Sequence, residues 1–296
     1  MDLQQLRYVV AVAETGNFTN AARRCRVVQS ALSHQIARLE RELGARLFHR
    51  TSRRVRLTPA GEDFLPEARQ CLAAADRARE RVAAAGGELR GRLRIGAIRT
   101  VTAIDLPDAL RRFHDRHPRV SIGIRMAASL ELTSQVRDGD IDVAFLGLPP
   151  AARPAGVRSH ELDREELVAV VASGHPLAEH HSVDLRRLAQ ETFVDFPSAT
   201  AARAQTDDAF AAAGLSRRVE FEVSAPELTA GLVREGLGIT ILPSGYAPSL
   251  PDLTTVSITE RPTRVQHLIW SKQGTSPAAA AFLRELGVPK TDIAGT

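Results

Sequence analysis

Five side chains with nucleic-acid chemistry fall on one face of a short helical stretch: Gln29, Ser30, Ser33, His34 and Arg38. Amide, hydroxyl, imidazole and guanidinium groups so arranged can read base edges in a major groove or grip phosphate oxygens. Further on, Arg50-Thr51-Ser52-Arg53-Arg54-Val55-Arg56 lies between apolar Phe48 and Leu57. This basic, turn-like segment is expected to form a β-wing, with Arg50, Arg53 and Arg54 along a backbone or an adjacent minor groove. Other chemistry finds less support. His114 and His117, three residues apart beside Asp115, could ligate a metal, but a solvated helix end before Pro118 is the simpler reading. Gly236-Leu237-Gly238 leads into a strand, not into the helix that a phosphate-binding fingerprint needs. No nucleophile, base and orienting acid stand out, although sequence order does not exclude a spatial triad. No cofactor and no metal are expected.

Two short helices must position the first set. Phe18, Ala21, Ala22 and Cys25 recur at helical spacing behind Asn17, a good N-cap. A tight connection at 26–29 leads to a second helix with Leu32, Ile36, Leu39 and Leu43 inward and Gly44 as its stop. Small Ala21 and Ala22 permit the close approach of a helix-turn-helix. An ordinary helical pair with a solvated loop would show the same spacing, so charge decides. Residues 1–58 hold eleven Arg and four acids, whereas residues 91–296 hold 23 basic and 25 acidic side chains. The basic excess is local, as a nucleic-acid contact face requires.

This segment resembles the N-terminal domain of LysR-type transcriptional regulators. The matching residues are Leu6 through Glu14, Gly16-Asn17-Phe18-Thr19, Ala21-Ala22, Gln29-Ser30-Ala31-Leu32-Ser33, Gln35-Ile36, Leu39-Glu40, Leu43-Gly44, Leu47-Phe48, Arg50, Leu57-Thr58 and Ala60-Gly61. Val28 stands where the family often has Ser, which bears on a phosphate contact. Cys25 stands where it often has Leu, a core exchange. The resemblance implies a winged helix-turn-helix over 1–58 that binds double-stranded DNA.

The length suits two or three domains, and no run approaches the ~18 apolar residues of a membrane span. The N-terminus has no signal-peptide pattern, so a cytoplasmic location without membrane contact is expected. Two Cys do not suggest a disulfide framework. A first helix ending near Thr15-Gly16 packs under the helix pair. Thr58-Pro59 begins another, running to a Gly86-Gly87 hinge, with Pro66 as a kink or early-turn residue. Phe64, Ala68, Cys71, Ala75, Ala78 and Val82 form a heptad-like seam along it. This is the expected dimerisation helix, 59–87, with Cys71 a small buried hydrophobe.

Beyond the hinge, strands and helices alternate. Strands are expected at 93–98, 120–125, 141–146, 157–161, 167–171, 192–195, 219–223, 239–242 and 265–270. Helices are expected at 103–117, 130–138, 185–189, 201–213, 226–235 and 277–286. The early βαβαβ order argues for a parallel sheet covered by helices. Two α/β halves, the second inserted into the first, resemble the periplasmic-binding-protein-like effector domain of the LysR family. Lobe I would comprise 91–163 and 265–296, and lobe II 164–264.

Ligands of parallel sheets bind beyond the carboxyl ends of strands, often at helix N-termini. That selects the loops 98–102, 127–129, 146–148 and 196–200, and with them Arg99, Thr100, Thr102, Ser129, Phe196 and Pro197. By resemblance, Thr100 and Ser129 match positions that commonly bond the effector, and Phe196 and Pro197 form the facing wall. Arg99 would suit the carboxylate of a small organic acid. The expected protein is a ligand-responsive regulator acting as a homodimer or homotetramer on DNA and affecting RNA polymerase. The alternatives are a solute-binding module or enzyme on the α/β part, with the N-terminal part serving assembly, and a nonspecific architectural DNA binder.

Overall fold

The computed structural model describes residues 1–50, 55–84 and 89–294, excluding the side chains of Arg50, Ala84 and Ala294. It divides into two compact units: Met1–Glu88 with Asp138–Asp140, and Leu89–Arg137 with Ile141–Thr296.

The first unit contains α1 (Leu3–Thr15), α2 (Phe18–Arg24), α3 (Gln29–Leu43), β1 (Phe48–Arg50), β2 (Val55–Leu57) and α4 (Pro59–Ala84). Each boundary has a local cause. Asp2 accepts from the Gln5 amide while the Gln5 side chain accepts from the Asp2 amide, a reciprocal capping box. Asn17 caps α2 by accepting from the Thr19 and Asn20 amides at 2.8 and 3.0 Å. Gly44 closes α3 at φ 69°, where a Cβ would be strained. Thr58 Oγ1 accepts from the Gly61 amide and donates to the Arg46 carbonyl, so it starts α4 and ties it to the chain before the wing. A Cβ on Gly61 would lie 2.1 Å from the Leu47 carbonyl oxygen, so only glycine permits that approach.

Tyr8, Val9, Val12, Ala21, Ala22, Leu32, Ile36, Leu39, Leu47 and Phe48 form the core of this unit. Leu43 departs from the expected stripe. It is 41% exposed, being the last residue of α3 and beyond the partners that bury Leu32, Ile36 and Leu39. Helix α4 runs through Pro66 without a break. Of the expected seam, Ala68 is buried and Phe64 packs against the core, but Cys71 is exposed and Val82 is 78% exposed. Within the single chain α1 and its core cover only the start of α4, and Cys71 and Val82 of the seam are left open. The hinge glycines Gly86 and Gly87 lie outside the described residues.

The second unit contains β3 (Gly91–Ala97), α5 (Leu106–Arg116), β4 (Val120–Met126), α6 (Ser129–Arg137), β5 (Val143–Leu148) and β6 (Val157–Ala172). Then come β7 (Ser182–Val183), α7 (Leu185–Leu188), β8 (Thr192–Asp195), α8 (Ala201–Ala212), β9 (Arg218–Glu222) and α9 (Pro226–Arg234). It closes with β10 (Thr240–Pro243), β11 (Leu253–Ile258), β12 (Thr263–Ser271), α10 (Pro277–Glu285) and α11 (Lys290–Ala294). The main sheet runs β4-β3-β5-β12-β6-β11-β7, with β10 also on β6. Strands β3, β4 and β5 are parallel, but β12 pairs antiparallel with both β5 and β6, so the sheet is mixed.

The separate strands expected at 157–161 and 167–171 are one strand, β6. The intervening Asp163-Arg164-Glu165-Glu166 has the composition of a loop, yet its backbone pairs with Thr263–Gln266 of β12. The first half of β6 thus belongs to lobe I and its second half, between β10 and β11, to lobe II. The 146–148 segment is likewise strand, the buried end of β5, because Gly147 and Leu148 pair with Gln266 and Val265.

His267 sits in β12 where the register to β6 shifts. It is 3% exposed, and neither ring nitrogen has a hydrogen-bond partner among the described residues. Burial, followed by the charges of Arg153 and Arg164, lowers its pKa from the ordinary 6.5, against an opposing pull from Glu161. The unfolded chain therefore takes up this proton first, and stability falls as pH drops below about 6.5. His267→Leu is expected to flatten the urea-midpoint profile over that acid range; an unchanged slope would contradict the assignment.

Candidate functional site

Leu32, Ile36 and Leu39 on the apolar side of α3 are fully packed, which fixes the direction of its other side. Gln29, Ser30, His34 and Arg38 are exposed and Ser33 is half-buried. The face is thus available to a groove, on a helix whose rotation is set by Leu32, Ile36 and Leu39. At its N-terminus stands Val28, 69% exposed and with no side-chain cap. Val28→Ser is expected to raise stability by about 1 kcal/mol by supplying that cap, measurable as a higher unfolding midpoint.

Strands β1 and β2 are antiparallel, with His49 opposite Arg56 and Arg50 opposite Val55. His49 and Arg56 are both exposed, a pair that the sequence reading did not single out. Arg53 and Arg54 lie outside the described residues.

In the second unit a cavity of about 360 Å³ is lined by residues of all four expected loops. Arg99, Thr100, Ser129, Phe196 and Pro197 are in its wall. Thr102 is not; its hydroxyl donates to Glu165 at 2.8 Å and its amide to Gln266 Oε1 at 3.1 Å. Ser129 is 4% exposed, and its hydroxyl both donates to the Gly147 carbonyl and accepts from the Gly147 amide. That exchange anchors the start of α6 to the end of β5. Ala128 supplies the carbonyl for the first α6 bond, from Leu132, and alanine has no side-chain acceptor to cap the turn. Arg99 is exposed at the cavity and has no ion pair among the described residues.

The polar residues at the cavity floor, Arg264 of its lining among them, escaped the sequence reading. Arg264, 2% exposed, donates from Nε to Glu165 at 2.7 Å and from Nη1 to Thr100 Oγ1 at 2.7 Å. Burial lowers its pKa, while the Glu165 carboxylate opposes that shift. Gln266 donates to the same Glu165 oxygen at 2.6 Å. This buried network joins β6 and β12 to the 99–103 loop. Next to Phe196, outside the cavity lining, Asp195 at the end of β8 pairs with Arg217, whose guanidinium lies 4.8 Å from the Phe193 ring centre and 5.2 Å from that of Phe210. Burial nonetheless pushes the Asp195 carboxyl up. Arg203 Nη1 donates to the Phe196 carbonyl and to Glu222, holding the Phe196-Pro197 wall. Gln205 of α8 also faces the cavity.

Among the described residues no group of three or more His, Cys, Asp or Glu could hold a metal ion, and no helix is long and apolar enough to cross a membrane.

Residues 3–62 match the bacterial regulatory helix-turn-helix protein model of the lysR family, and residues 86–287 match the LysR substrate binding domain. The transcriptional dual regulator GltC of Bacillus subtilis (strain 168) is 35% identical over 255 residues, which cover 86% of this chain and 85% of GltC. Among solved structures, a full-length OxyR variant from Pseudomonas aeruginosa aligns with TM-score 0.74 and 27% identity over 99% of this chain and 96% of that one. Full-length CbnR, a protein solved in complex with its target DNA, aligns with TM-score 0.68 and 27% identity over 97% and 99% of the two chains. With its helix-turn-helix, long helix and two-lobed ligand-binding domain, the chain belongs to the LysR family of ligand-responsive, DNA-binding transcriptional regulators.

Proposed function

We propose that this chain acts as a homodimer or homotetramer in the cytoplasm, pairing through the open face of α4. Its bounds are then 1–58 for DNA binding, 59–87 for pairing, 91–163 with 265–296 for lobe I, and 164–264 for lobe II. Gln29, Ser30, Ser33, His34 and Arg38 read a major groove, while Arg50, Arg53 and Arg54 grip the backbone. Two-fold pairing sets two such helices on successive turns of an imperfect palindrome. A small organic acid in the cleft, near Arg99, Thr100, Ser129, Phe196 and Pro197, favours one arrangement of the lobes. It must bind the two arrangements unequally to shift them. The outcome is a changed DNA bend and changed access of RNA polymerase. The chain acts by binding and catalyses no reaction.

The observation that carries this reading is the exposed polar face of α3, held outward by buried Leu32, Ile36 and Leu39 opposite it. Selection of randomised duplexes by the full-length protein tests it, with nonspecific competitor at physiological salt. An enriched two-fold-related sequence supports the reading. Retention without enrichment would favour an architectural binder, and no retention a solute-binding module.

A further inference from the structure

Val28 stands at the N-cap of α3, 69% exposed and making no side-chain cap. Its neighbours at this end of the helix, Gln29, Ser30, Ala31 and His34, are exposed as well. A bare valine is thus set among polar groups suited to reading DNA. Its isopropyl group cannot cap the helix, as Ser, Thr, Asn or Asp would. Nor does it offer a donor to a phosphate oxygen or a base edge. The apolar surface extends beyond one residue, because Ala31, three positions on, is its neighbour on the helix surface. The core of the first unit takes up Val27, Leu32 and Ile36 and leaves Val28 and Ala31 outside.

A major groove offers one apolar group to such a surface. Of the four bases only thymine presents a methyl there, at C5. The N-terminal residues of a recognition helix are the ones that contact base edges. We infer that Val28, with Ala31 beside it, is a specificity-determining residue that packs on the 5-methyl group of a thymine in each half-site. Gln29 discriminates by hydrogen bonds, whereas Val28 does so by removing apolar surface from water. Cytosine in the same place lacks the methyl and turns an amino donor towards the isopropyl group, where it finds no acceptor. Covering the methyl is worth about fourfold in affinity per half-site. The serine that would cap α3 would also remove this contact, so Val28→Ser is expected to gain stability and lose thymine preference together. This inference deepens the reading of α3 as the groove-reading helix and rests on it.

The test uses the duplex that the full-length protein enriches from the randomised pool. Each thymine is replaced in turn by deoxyuridine, which differs only in lacking the 5-methyl group, and affinity is read by fluorescence anisotropy at fixed salt. At least one symmetry-related pair of thymines is expected to respond, losing about fourfold when one half-site is changed and about fifteenfold when both are. Val28→Ser, which keeps the chain folded, is expected to abolish the response at that pair, a coupling readable in a double-mutant cycle of residue against base. Deoxyuridine tolerated at every thymine, or an enriched site without thymine, would overturn the methyl contact and leave α3 as the groove-reading helix, which Gln29→Ala tests separately. A response that survives Val28→Ser would assign the methyl to another side chain and overturn the role of Val28. Absence of any enriched sequence would overturn the reading of α3 itself and the inference with it.

Discussion

Arg264→Met is expected to lower the unfolding free energy by about 3–5 kcal/mol, because it strands the Glu165 carboxylate in a buried site. Glu165 is 9% exposed and takes bonds from Arg264, Gln266 and Thr102 on one oxygen. The remaining donors, including the Gly245 amide on the other oxygen, are neutral and cannot replace the guanidinium charge. The sign of a second substitution separates this cause from lost packing. Arg264→Met with Glu165→Gln removes the charge that was stranded, so the double variant is expected to be more stable than Arg264→Met alone, a positive coupling readable in a double-mutant cycle. Urea midpoints of the four proteins supply the cycle. Purely additive losses would show that the pair contributes nothing as a pair. A functional consequence accompanies the stability loss. Arg264 holds Thr100 of the cavity wall through its hydroxyl and its carbonyl, so the folded fraction of the single variant is expected to bind effector more weakly.

Gln29→Ala is expected to cost about 1–3 kcal/mol of affinity for the cognate duplex, with little change on unrelated DNA. A glutamine at the exposed first turn of α3 has the donor and acceptor pair that suits an adenine edge. Arg38→Ala, further along the same face, is expected to weaken all duplexes alike and to reduce the salt slope by about 1. The contrast separates base reading from phosphate gripping on one helix. Fluorescence anisotropy over a range of salt concentrations, on cognate and scrambled duplexes, measures both. A uniform loss for Gln29→Ala would move it to the phosphate group, and an unchanged slope for Arg38→Ala would remove it from the contact face.

These residues differ in how readily the sequence revealed them. The α3 face was legible because it is the complement of Leu32, Ile36 and Leu39, three apolar residues whose spacing alone orients the helix. The caps at Asn17, Gly44 and Thr58 are local signals too. Leu43 misled because periodicity does not say where the partner elements stop. The 163–166 charges misled for a different reason: a strand's hydrogen bonds come from its neighbours, and Thr263–Gln266 lies about a hundred residues away. Arg264 and Glu165 were hidden by the same distance, since either alone resembles a solvent-facing charge. Gln205 carried no signal beyond its place next to Thr206 on the helix that buries Phe210. The four cavity segments, three loops and the end of β5, were found because strand ends and helix starts can be read locally, even though their convergence cannot.

The most direct test of the central claim is a footprint of the full-length protein on the DNA immediately upstream of its own coding region, with excess nonspecific competitor at physiological salt. The account predicts two protected half-sites whose centres are about one helical turn apart, or a multiple of that spacing. It also predicts a protection pattern that changes when an acid shown to occupy the cleft is added. A footprint indifferent to such an acid would contradict the coupling of cleft to DNA, and protection without paired half-sites would contradict the two-fold reading by α3.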